Sequence, residues 1–145
     1  MYLAKGGRKL ANYASSIRSN YFKVKDLEIF RRVIESFGSV DLQGTWKDDG
    51  DYVTLIGNEY SDGWPEILDD EGNEISIIDE VATHLQEGQV AVFLEIGQEK
   101  MRYFVGHAIA INSKGERQEV SINDIYQLAE ELKTVESVEV TRAEY

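Results

Sequence analysis

Hydrophobic and polar positions alternate along "SIRSNYFKVK" (16 to 25), with Ile17, Ser19, Tyr21 and Lys23 set against Arg18, Asn20, Phe22 and Val24. This predicts a strand with Tyr and Phe on opposite faces. The period then changes. Asp26 stands at an N-cap position, Leu27, Phe30, Val33, Ile34 and Phe37 follow at helical spacing, and Gly38 is the stop, so a helix with one buried stripe is expected. In "VDLQGTWKDDGDYVTLIGNE" (40 to 59), Val40, Leu42 and Trp46 precede the turn residues Asp48, Asp49 and Gly50, and Tyr52, Val53, Leu55 and Ile56 come after them. That pattern predicts a hairpin.

The second half repeats one arrangement. "EGNEISIIDEVATHLQEG" and "KGERQEVSINDIYQLAEEL" each run from a glycine turn through a short strand to a serine, with an aspartate three residues later. Ser76 with Asp79, and Ser121 with Asp124, are variants of the helix-capping box, the shorter aspartate replacing glutamate. Each helix is expected to bury a stripe: Ile77, Ile78, Val81 and Leu85 in one, and Ile122, Ile125, Leu128, Ala129 and Leu132 in the other. Between them "VAVFLEI" (90 to 96) and "MRYFVGHAIAIN" (101 to 112) predict two strands, and "SVEVTR" (137 to 142) a last one.

The order strand, helix, strand, strand, helix, strand predicts an α+β fold. Its plan is a ferredoxin-like antiparallel sheet with helices packed on one face, extended by an extra hairpin, helix and terminal strand. Residues 13–145 form one domain on this reading and residues 1–12 a flexible basic tail. The 145 residues, 42% of them hydrophobic, suit a single core. The other sheet face would stay open, with Tyr21 or Phe22, Trp46, Tyr52 and Tyr103 as its candidate aromatics.

Charge changes the picture more than composition does. Residues 1 to 47 hold nine Lys/Arg against four Asp/Glu, residues 48 to 99 none against fifteen, and residues 100 to 145 six against eight. A long stretch without a cation gives one part of the surface a negative potential that repels nucleic acid and attracts basic partners. No run of eighteen apolar residues and no signal-peptide core occur, so no membrane partner and a cytoplasmic location in the host cell are expected. The absence of cysteine excludes disulfides and thiolate sites.

"SNYFKVKD" before a helix, the "DGWP" corner, and "FVGHAIAINSKGE" running into "SINDIYQLA" resemble small acidic accessory proteins of phages and other mobile elements, some with ferredoxin-like domains. The resemblance spans about residues 13 to 135. It implies an accessory protein that inhibits a host defence complex by binding it, and it transfers no functional residue.

"SDGWPEILDDEGNEISIIDE" (61 to 80) concentrates the question, with eight carboxylates in twenty positions. A calcium loop counted from Asp69 would place Asp69, Glu71, Asn73 and Glu80 at ligand positions, but Glu74 stands where the sharp turn needs glycine. A polar hairpin turn over Asp69 to Asn73 is the simpler expectation. Neither His84 nor His107 has a serine or second histidine at ligand or triad spacing, and no phosphate-binding glycine loop occurs. No cofactor, metal site or catalytic residue is therefore assigned.

The basic, aromatic N-terminal region, with Lys5, Arg8, Lys9, Arg18, Lys23, Lys25, Arg31 and Arg32 beside Tyr13, Tyr21 and Phe22, offers a nucleic-acid surface as the alternative. A small hydrolase with a carboxylate site is another. A pI near 4.5 weighs against nucleic acid as a partner. The expectation is a non-enzymatic acidic module that occupies a basic surface on a host nucleic-acid-handling complex through Asp62, Trp64, Glu66, Asp69, Asp70, Glu71 and Glu74. Trp64 has a second reading as a core side chain that pins a turn, and homodimerisation through the open sheet face is a further use of the aromatics.

Overall fold

The computed structural model describes residues 13–44, 51–59, 61–99 and 103–143. The expected basic tail, Trp46 and the turn at Asp48 to Gly50 lie outside them. The fold is α+β. Strand β1 (Tyr13–Ser19) is followed by helix α1 (Leu27–Glu35), the hairpin β2 (Val40–Gly44) and β3 (Val53–Gly57), and a small hairpin β4 (Glu66–Leu68) and β5 (Glu74–Ser76). Helix α2 (Ile77–His84), β6 (Val90–Glu99), β7 (Tyr103–Asn112), β8 (Arg117–Ser121) and α3 (Asp124–Glu130) complete the chain. The main sheet has the order β2-β3-β1-β6-β7-β8, and every pairing in it is antiparallel.

Helix α1 forms where its sequence signals stand. Asp26 caps it by accepting a hydrogen bond from the Ile29 amide at 3.0 Å, and Gly38 takes up the left-handed conformation just past its end. Its stripe buries Phe30 and Ile34 against one sheet face, where Ile17, Phe93 and Ile111 meet Ile77, Ile78 and Val81 of α2. Ser76 caps α2 through the Ile78 amide at 3.1 Å, while Asp79 turns to Arg117 instead of closing a box. At the second, the Ser121 amide donates to the Asp124 carboxylate at 2.8 Å and Ser121 Oγ accepts from the Asn123 amide. The residue at the N-cap of α3 is Asn123, however, whose side chain makes no capping bond, so the full box does not form there either.

Three sequence expectations need correction. The first strand ends at Ser19, and the burial phase flips after it: Ile17 and Ser19 are buried, and then Phe22 and Val24. Arg18 pairs with Ile56 and Phe22 with Val53, so four steps on one side match three on the other, which is a β-bulge. Asn20 bridges the break, its amide side chain accepting from Val92 N and donating to Val90 O in place of ladder bonds.

No strand forms over 137 to 142. That segment returns to α3, where Arg142 donates to Asn123 and stacks on Tyr126, and the Ala143 amide donates to the Tyr126 hydroxyl. Finally, α3 buries no side chain; Ile122, Ile125, Leu128 and Leu132 are all more than half exposed. The amphipathic stripe is real, but among the described residues no second layer covers the apolar side of α3.

Candidate functional site

The acidic stretch folds into a hairpin set beside the covered sheet face. Ile67 and Ile75, directly opposite each other on β4 and β5, point to the core and anchor it. The alternating positions then carry acids outward, so Glu66 and Glu74 at the strand ends and Asp70 and Glu71 at the turn are exposed. Asp62, on the approach, is exposed as well.

Asp69 has a different job. One of its oxygens accepts from the amides of Glu71 (2.8 Å) and Asn73 (2.9 Å), and the other from the Asn73 side chain (3.2 Å). These bonds favour the ionised form, the Asn73 amide foremost, and hold the Asp69 carboxyl below its ordinary range. The stabilisation is therefore present above the usual aspartate range and is lost as pH falls through the lowered value. Asp69→Ala is expected to lower the protection of the Glu71 and Asn73 amides at neutral pH, and the wild type should lose the same protection, measured against the intrinsic exchange rate at each pH, as it is acidified. Unchanged protection in both would show that the turn stands without the carboxylate.

Trp64 takes the core-pinning role. Its ring meets Phe93 edge-on at 4.9 Å between centroids, and its indole N–H donates to the Leu94 carbonyl at 3.1 Å. The Trp64 amide lies 3.3 Å from a carboxylate oxygen of Glu95, a residue only 7% exposed. Gly63 precedes it at φ 126, and a Cβ there would lie 3.3 Å from the same carboxylate, so only glycine suits this corner. Trp64 and Glu95 thus hold the acidic hairpin to β6. Sequence reasoning passed over Glu95, although a lone carboxylate in phase with Ala91 and Phe93 was a signal for it.

The two histidines have local partners. His84 ends α2, where a cation suits the helix terminus, and its ring lies 5.7 Å from that of Phe30. His107 sits 3.6 Å from Glu95, an ion-pair distance just beyond hydrogen-bond reach. A shallow cleft of about 400 Å³ adjoins it, with Glu119, Ser121 and Asp124 on its walls. Ser121 and Asp124 are engaged in the turn, where Ser121 Oγ accepts from the Asn123 amide and Asp124 accepts from the Ser121 amide, while Glu119 lies 3.7 Å from the Arg117 guanidinium. Among the described residues no group of three His, Asp or Glu side chains is placed to share a metal ion.

The described part of the basic N-terminal region does not converge either. Arg18 lies on the open sheet face, hydrogen-bonded to the Tyr21 hydroxyl at 3.0 Å, whereas Arg31 and Arg32 ride on α1 over the other face. Lys23 sits over the Tyr52 ring at 4.9 Å. No helix among the described residues is long and apolar enough to cross a membrane. Compared with known protein families, curated proteins and solved structures, the chain has no significant match.

Proposed function

We propose that this chain is a non-enzymatic protein-binding module that docks its acidic hairpin on a basic surface of another protein. The observation that carries this reading is the state of the hairpin acids. Among the described residues, the ion pairs use Asp79, Glu95, Glu119 and Glu130, and none uses Glu66, Asp70, Glu71 or Glu74. Four exposed carboxylates, none paired among the described residues, on a turn braced by Asp69 and anchored through Trp64 form a fixed negative field. Carboxylates so held can stand where phosphates would sit in a nucleic-acid groove. The scaffold reading that goes with it is ferredoxin-like: β2-β3-β1-β6 with α1 and α2 as connections, to which β4–β5, β7, β8 and α3 are additions. The resemblance to mobile-element accessory proteins supplies the target class, a nucleic-acid-handling host complex of a defence system.

The test uses the tagged protein on a bacterial lysate, followed by elution with duplex DNA. A variant neutralised at Glu66→Gln, Asp70→Asn, Glu71→Gln and Glu74→Gln, with Asp69 kept to preserve the turn, serves as the comparison. The expected result is a basic complex held by the wild type, displaced by DNA and not held by the variant. Retention of the same proteins by the variant would remove the hairpin acids from the mechanism.

A further inference from the structure

Strand β8 ends the main sheet, and its backbone shows which way its groups point. The Ile122 amide donates to Gly106 O at 2.7 Å, and Glu116 O accepts from the Asn112 amide at 3.1 Å. By the two-residue period of a strand, even-numbered residues turn their backbone groups towards β7, and Arg117, Glu119 and Ser121 turn theirs outward. The Ser121 amide is taken by Asp124. Among the described residues nothing pairs with the N–H and C=O of Arg117 and Glu119 on this edge, a template for another strand.

We infer that the chain forms a two-fold homodimer by antiparallel pairing of β8 with β8 of a second copy, centred on Gln118. In that register Arg117 stands opposite Glu119 of the second copy and Glu119 opposite its Arg117. Both are outward-facing residues, so each pair exchanges two backbone hydrogen bonds. Both pairs also bring opposite charges together on one sheet face, and the reciprocity is what a two-fold axis demands. A register centred on Glu119 would instead set that carboxylate against itself. Charge therefore selects the pairing. Within one copy, the Arg117 guanidinium already lies 3.5 Å from Asp79 and 3.7 Å from Glu119.

The placement suits the rest of the molecule. Two copies of net charge −12 repel each other, but residues 100 to 145 are close to neutral. The open-face positions of β1, β6, β7 and β8 carry no carboxylate among the described residues. Val120, Ile122 and Ile125, each more than half exposed, flank the proposed axis and gain burial from the second copy.

Sedimentation equilibrium of the full chain, from micromolar to submillimolar concentration, tests the inference. The wild type is expected to approach twice its 16.5 kDa mass. Glu119→Pro removes an amide that β7 does not use, so it should leave circular dichroism intact and the protein monomeric. Arg117→Glu and Glu119→Arg should each weaken association by about tenfold or more, and the two together should restore it. A wild type that stays monomeric throughout would overturn the inference. So would a folded Glu119→Pro that dimerises normally, which would move the contact to the apolar face. Failure of the double exchange to recover association would overturn the register, and it reads out even if the proline variant does not fold.

Discussion

Phe30→Ala is expected to lower the free energy of unfolding by about 3–5 kcal/mol, the range for removing a large buried aromatic. Phe30 is fully buried. It projects from α1 into the space where three elements meet: the Phe22 ring stands against it at 6.0 Å and 80°, and the His84 ring of α2 at 5.7 Å. The residues around the gap belong to a helix, a bridged segment and a second helix, which cannot all close in without breaking other contacts. A cavity therefore persists. Urea unfolding checks this through a lower midpoint at an unchanged slope. Ile29→Ala, one residue away on the same helix but 45% exposed, should fall within about 0.5 kcal/mol of the wild type. Equal effects at the two positions would mean that the assigned face of α1 is wrong.

Ser19→Ala is expected to cost about 1–3 kcal/mol, more than its size suggests, because it strands a buried donor. Ser19 Oγ accepts from the Leu55 amide at 2.8 Å, donates to Asn20 O, and lies 3.1 Å from Thr54 Oγ1. Thr54 in turn donates to Ser19 O at 2.9 Å. Both residues are essentially buried. Their hydroxyls satisfy the backbone groups that the bulge removes from the ladder between β1 and β3. Faster exchange of the Leu55 amide would accompany the loss. Ser16→Ala, exposed on the opposite face, should be close to neutral. A Ser19→Ala protein as stable as the wild type would show that the hydroxyl pair is incidental.

These two residues also mark where sequence reasoning held and where it failed. Phe30 was readable because helical spacing, the Asp26 cap and the Gly38 stop all agreed. Ser19 was not. Alternation extrapolated through it assumes an unbroken ladder, whereas one inserted residue moves every later side chain to the other face. The Ile125, Leu128 and Leu132 stripe failed for another reason: periodicity shows that a helix has an apolar side, not that the same chain supplies a surface to cover it. The strand expected at 137 to 142 had the right residue types, but strand propensity supplies no pairing partner. Its polar groups were claimed instead by Tyr126 and Asn123. In the candidate site, the exposed acids could be read from composition, while the bracing by Asp69, Trp64 and Glu95 needed three dimensions.

Acidic recognition is tested most directly by the salt dependence of binding between the purified module and the complex it captures, measured for the wild type and for the variant neutralised at Glu66, Asp70, Glu71 and Glu74. The wild type should bind fast, with affinity falling steeply as salt rises. The variant should associate roughly 10- to 1,000-fold more slowly at low salt and show a flat salt profile. Equal affinity and an equal salt slope for the two proteins would contradict recognition through the acidic hairpin.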